Sequence, residues 1–188
     1  MKSSIFELPT VSPENYSNLQ SFFKELFVVI RSSQVWYPEI LNWYSFKFSP
    51  GLNNGSRKIV FFAINNEIAG TALLKNIDQE KKICTFFVKN QYRNNGIGKS
   101  LFGKCLEILD TDKPVITVPA ERLPQFSRIF KYYDFKLEQV VDNYYRSKSQ
   151  EYVFNGNLEL KITSGYENII LECGQFLQEP VSVLSNLI

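Results

Sequence analysis

Histidine is absent from all 188 residues, and that absence removes more chemistry than any other feature of the composition. No Ser-His or Cys-His pair can activate a nucleophile, and no imidazole can hold a metal. Cysteine is scarce too. Cys84, Cys105 and Cys173 stand far apart without CxxC spacing, which argues against a common zinc site and against a disulfide framework. No metal is expected. The formal charge is only +2 and no long basic run occurs, so neither nucleic acid nor a membrane surface is an expected partner. No apolar run reaches the ~18–20 residues of a membrane span. Met1-Lys2-Ser3-Ser4 leads into mixed sequence rather than the apolar stretch of a signal peptide, so the cytoplasm is the expected location.

Aromatic residues are abundant, with 16 Phe, 10 Tyr and 2 Trp, and this surplus must fill a core or line a pocket. Pro13 to about Ile30 reads as a helix: Ser12 can cap it, Pro13 suits its first position, and Leu19, Phe22, Phe23, Leu26 and Phe27 follow helical spacing. Pro38 to Phe46 predicts a second, shorter helix. Lys58–Ile64, Glu67–Ile77 and Lys82–Val88 read as strands whose connections are too short for parallel crossovers, hence an antiparallel meander. Gly96 to about Leu109 is a helix with Ile97, Leu101, Cys105 and Ile108 in one stripe. The wholly apolar Pro114–Val118 suits a central strand. A helix over Leu123–Tyr133 and strands over Phe135–Val141 and Asn143–Phe154 complete the pattern. The order is α+β with one crossover. Residues 1–155 are expected to form the main domain. Residues 156–188, beyond Asn155-Gly156, read as an extension packed on the core or on a partner subunit of a homodimer; within it 158–162 alternates like a strand and 167–177 suits helix or strand.

The most informative stretch is Val88 to Leu101, where an apolar strand meets a helix through Arg93-Asn94-Asn95-Gly96-Ile97-Gly98. A helix N-terminus offers unpaired N–H groups and a positive dipole end, and glycine admits a diphosphate close to the main chain. Three readings compete. One is a turn that only caps a helix. Another is a nucleoside-triphosphate loop, suggested by Gly98-Lys99-Ser100; that pattern requires glycine where Arg93 stands, and Pro119 follows the central strand where a magnesium-binding aspartate is wanted. The third fits the spacing throughout. Arg93, Gly96 and Gly98, placed after a strand and opening a helix, match the pattern Gln/Arg-x-x-Gly-x-Gly/Ala, and here the chain resembles the GNAT acetyltransferase superfamily over roughly residues 5–155.

The resemblance implies a mixed, mostly antiparallel twisted sheet of six to seven strands flanked by helices, with a splayed central strand pair. It implies acetyl-CoA as co-substrate. Its pyrophosphate would rest on Arg93, Asn94, Asn95, Gly96, Ile97, Gly98, Lys99 and Ser100, and its pantetheine arm would pair with Phe86, Phe87 and Val88 like an added strand. The implied reaction is direct transfer of acetyl to an amine of a small molecule or peptide in a ternary complex. In similar proteins Trp36, Tyr37, Trp43 and Tyr44 would flank the acceptor groove.

Such a transfer needs a base for the ammonium proton, donors for the oxyanion, for which the Val88 N–H is the candidate, and an acid for the thiolate. The family's usual acid, a tyrosine, is replaced here by Phe130, and Leu123 stands where an asparagine is frequent. Tyr133, ahead of Tyr132, is the substitute acid, since Tyr133 lies three residues beyond Phe130. No carboxylate occurs within Lys82–Val88, leaving Glu39, Glu121 or a water relay as base. Cys84 as an acyl carrier is disfavoured, because a cysteine in an apolar strand is usually core. The missing acid and base leave a second reading open, a non-catalytic acyl-CoA-binding or regulatory module on the same fold.

Overall fold

A computed structural model of the protein describes residues 3–8 and 19–159. Seven strands form one sheet: β1 (Ser3–Leu8), β2 (Arg57–Ile64), β3 (Glu67–Ile77), β4 (Glu80–Val88), β5 (Val115–Pro119), β6 (Leu137–Asp142) and β7 (Gln150–Phe154). Their order is β1-β2-β3-β4-β5-β7-β6. Every pairing is antiparallel except β4 with β5. That one parallel pair requires a crossover, which helix α3 (Ile97–Leu109) supplies.

Helices cover both faces. On one side α3 and α4 (Leu123–Tyr132) pack on Val60, Phe62, Ile83, Phe86 and Ile116; on the other, α1 (Leu19–Ser32) and α2 (Ile40–Trp43) cover Ile59, Phe61 and Leu73. This explains why β2 reads as an unbroken apolar run instead of alternating: consecutive residues Ile59 to Ile64 are buried on opposite faces. Phe22, Phe61 and Phe6 form a ring cluster with centroids 5.2 to 5.7 Å apart that pins α1 and β1 to β2.

Three local differences from the sequence reading have physical causes. Ser3–Leu8 is an edge strand that the sequence reading omits, because only Ile5, Phe6 and Leu8 are apolar and two of those face the core. The second helix is shorter than expected and widens into a π-helical turn at Tyr44–Phe48, which brings Trp43 and Tyr44 against the fully buried Phe48. Residues 143–149 are a loop rather than strand; Asn143 and Lys148 take left-handed backbone, and the Asn143 side chain accepts the Lys148 N–H. Packing continues past Asn155: Leu158 is buried with Val141 and Val153, and its N–H donates to Gln139. The expected elements at 160–162 and 167–177, and the start of the first helix, lie outside the described residues.

Candidate active site

The site begins where β4 and β5 part. Their parallel pairing covers only Lys82 with Val115 and Ile83 with Ile116. Beyond it β4 stays with β3 and β5 turns to β7. The Lys89 N–H donates to Ala69 of the β3 side. Because partners alternate along an antiparallel ladder, the N–H and C=O of Val88 and Phe86 therefore point away from β3, into the gap, while those of Phe87 point to β3. Arg93 Nε donates to the Val88 carbonyl at 3.0 Å, fixing Arg93 at the end of the gap. Of the three residues expected to pair with an added chain, Phe86 turns its N–H and C=O into the gap and Val88 its N–H, the Val88 carbonyl being taken by Arg93.

The gap ends at the turn. The first helical bond of α3 runs from the Ser100 N–H to the Gly96 carbonyl, so the N–H groups of Ile97, Gly98 and Lys99 have no acceptor within the helix. Asn94 and Gly96 both adopt left-handed backbone, at φ 62° and 79°, which curls successive N–H groups toward one side. The two glycines serve different ends. A Cβ at Gly96 would meet only open space, so glycine is there for its backbone angle and leaves an open approach. A Cβ at Gly98 would stand in ordinary van der Waals contact with Ile129, 3.4 Å away, and with Val88, so this side of the helix start faces α4 and β4.

Tyr132 and Tyr133 stand beside that turn and not in the gap. The Tyr133 hydroxyl donates to the Lys99 carbonyl at 3.3 Å and its ring stacks on Phe102. Burial raises its pKa. Tyr132 is exposed, with Lys99 Nζ 3.9 Å from its ring centroid. Phe130, by contrast, is buried among Phe126, Phe135 and Phe154. Three residues on, α4 has ended and Tyr133 leans toward α3, so the shared side expected from helical spacing is not realised. Both side chains thus border Lys99 at the start of α3.

The gap opens into a narrow cleft lined by Ser33, Tyr37, Cys84, Phe86, Thr117 and Arg122, with about 30 Å³ of enclosed space, enough for a water molecule. Behind the lining lies a buried polar cluster that sequence reasoning missed. Glu151 of β7 is only 3% exposed. Tyr37 donates its hydroxyl proton to Glu151 Oε1 at 2.9 Å, and Thr117 also hydrogen-bonds this carboxylate. Burial pushes the Glu151 pKa up to about 7, with the hydrogen bonds and Lys82 pulling the other way. Burial and Glu151 raise Tyr37 as well. Tyr145 meets Tyr37 edge-on at 5.0 Å. Arg122 lies over the Trp36 ring at 4.6 Å. The signal for Glu151 was present: it shares an inward strand position with Val153, and an acid in that alternation is unusual.

The other base candidates fall away from the cleft. Glu121 is surface-exposed and bound to Arg146, and Glu39 is held by Asn42 on the surface. Of the expected acceptor-groove aromatics, Tyr37 lines the cleft and Trp36 borders it through Arg122, while Trp43 and Tyr44 pack on Phe48. Burial raises the Cys84 thiol, which keeps it protonated.

A parallel strand pair that splays, followed by a glycine turn opening a helix, defines an acetyltransferase fold of the GNAT type. The sequence profile of the acetyltransferase (GNAT) domain matches residues 17–146, and the chain belongs to that family. No curated relative matches the sequence. Among solved structures it is similar to a GNAT-family acetyltransferase from Bacillus cereus, at 15% identity and TM-score 0.54, over 82% of this chain and 96% of that one. A GNAT-family acetyltransferase from Elizabethkingia anophelis with acetyl-CoA bound matches at 17% identity and TM-score 0.53, over 81% and 95%. The PaiA N-acetyltransferase from Thermoplasma acidophilum, in complex with coenzyme A, matches at 20% identity and TM-score 0.52, over 84% and 100%. At these identities the likeness is one of fold. Among the described residues no helix is long and apolar enough to cross a membrane.

Proposed function

We propose that the protein transfers acetyl from acetyl-CoA to an amine, with both substrates bound together. The observation that carries this reading is the gap itself: the main chain of Phe86 and the Val88 N–H turn away from β3 and lead directly into the turn that opens α3, with the Val88 carbonyl held by Arg93. Pantetheine would pair with those groups, and the N–H groups of Asn94 to Lys99 would cradle the pyrophosphate, with Ser100 starting the helical ladder behind them. Arg93 is held against Val88, and its charge remains near the phosphates. Lys99 and Tyr132 border the phosphate end rather than the thioester. In this reading the Val88 N–H faces the thioester carbonyl and stabilises the oxyanion. The acceptor amine enters from the Tyr37–Arg122 side.

Phe130, with no proton to give and buried among other rings, favours the second reading, an acyl-CoA-binding module that does not turn over. One experiment separates them. Thiol release from acetyl-CoA is followed with spermidine, benzylamine, lysine amide and a short peptide with a free N-terminus, beside calorimetric titration of acetyl-CoA. Amine-dependent release supports the transferase; binding with no release from any amine supports the module.

A further inference from the structure

We propose that Tyr37 and Glu151 form the proton-accepting arm of the site, Tyr37 Oη taking a proton from the acceptor amine while passing its own to Glu151 Oε1. The inference rests on the acetyl-transfer reading above. Its geometry is direct. Tyr37 lines the cleft, precedes α2, and is already donating to Glu151 at 2.9 Å across 114 positions of sequence. Glu151 sits behind it on β7, in register with Pro119 at the end of β5, on the strand that diverges from β4. The cleft retains room for a water where Tyr37 and Thr117 face it, so a direct or one-water path to the amine is available.

No cation forms an ion pair with Glu151 among the described residues. The groups that face it come from every neighbouring element: Tyr37 ahead of α2, Thr117 on β5, Lys82 on β4, Glu121 after β5 and Tyr145 in the loop before β7. Arg122 acts on Tyr37 rather than on the carboxylate. Burial outweighs the attractions from Tyr37, Thr117 and Lys82, and holds the group near neutrality, where a carboxylate can accept a proton and release it again in each turnover.

The step balances. The acceptor arrives as an ammonium ion and gives one N–H proton to Tyr37 Oη as the phenol proton moves to Glu151, leaving Tyr37 neutral and Glu151 protonated. The nitrogen lone pair then forms the C–N bond at the thioester carbonyl, whose π electrons move to oxygen. Collapse restores the C=O and breaks the C–S bond. Sulfur leaves with the electron pair and takes the second N–H proton, directly or through water. Glu151 returns its proton to solvent by the same path. Ammonium and thioester thus give amide, thiol and one proton.

The test uses the full chain, saturating acetyl-CoA and the fastest amine of the panel above. Wild type should show kcat rising with pH through a limb near about pH 7. Glu151→Gln and Tyr37→Phe should each lower kcat by about 10²-fold or more, and Glu151→Gln should erase that limb. Acetyl-CoA affinity should stay within about twofold, because neither residue touches the turn, and Glu151→Asp should recover part of the rate. Tyr37→Phe keeps the ring packing and decides the matter if Glu151→Gln fails to fold. Variants that keep kcat and the limb overturn the relay and leave acetyl transfer standing. Loss of kcat and acetyl-CoA affinity together also overturns it, since that marks a packing role. A wild type that turns over no amine overturns the transfer reading, and the relay with it.

Discussion

Glu151 concentrates the electrostatic cost of this fold in one side chain. Its pKa is raised from 4.5 to about 7, so between those values the folded state binds the proton more tightly than the unfolded chain does. Stability must therefore fall as pH rises through that window, and the loss is complete above about pH 7. The full cost is on the order of 3 kcal/mol. Glu151→Gln, which keeps an acceptor for Tyr37 but cannot ionise, should gain on wild type as pH rises: thermal melts at pH 5 and pH 8 should show wild type losing stability and the variant losing much less. Parallel pH dependence in the two proteins would contradict the cause assigned to the shift. Tyr133 invites the opposite expectation. Its hydroxyl is bonded to the Lys99 carbonyl beside the turn. Tyr133→Phe should cost about 1 kcal/mol of stability and leave kcat within about threefold of wild type in the amine assay; a hundredfold loss of kcat would return Tyr133 to the chemistry.

At the scale of elements, the turn before α3 assigns different work to its two glycines. Gly96 is left-handed at φ 79° with open space where a Cβ would stand. Gly96→Ala should cost about 1–2 kcal/mol from backbone strain and weaken acetyl-CoA binding, because relief of the strain rotates the N–H groups that face the phosphates. Gly98→Val should act mainly on packing, since its side chain would run into Ile129 of α4. A stability loss of about 1–3 kcal/mol is expected, and calorimetry beside thermal melts distinguishes the two variants. From sequence alone either glycine of the turn could be the one that a diphosphate approaches. Gly-x-Gly spacing identifies the turn but not the direction of each Cβ, which depends on where α4 lies. The meander, α3 and β5 were legible because long apolar runs and turn residues bound them. The cleft chemistry was not. Tyr37 and Glu151 are separated by 114 positions and meet only in the fold, where β7 pairs with β5 and Tyr37 faces the same cleft as Thr117.

For the whole molecule, the central fact is a sheet that is continuous at both ends and opened in the middle. Seven strands would make an unbroken sheet if β4 and β5 stayed paired; two residue pairs, Lys82 with Val115 and Ile83 with Ile116, are all they share. Helices lie on both faces of this sheet, and Lys89, just past the end of β4, is tied to Glu25 of α1 at 2.5 Å. Core packing runs past Asn155-Gly156, since Leu158 fills a site against Val141 and Val153. A chain ending at Asn155 should be less stable than one ending at Glu159 by about 2–5 kcal/mol, as read by thermal melts. Equal melting temperatures would place Leu158 outside the cooperative unit. The fold class was legible in the order of elements and in one turn. The edge strand β1 was not, since a strand buried on one face by two side chains carries little periodicity.

The most direct test of the account is the melting temperature of the full chain with acetyl-CoA or ATP added. Acetyl-CoA at a hundred times its dissociation constant should add about 2.7 kcal/mol, a rise of about 5–10 °C for a protein of this size, whereas ATP, which has no pantetheine to lie along β4, should shift it far less. A melting temperature that saturating acetyl-CoA leaves unmoved would contradict the account at its root.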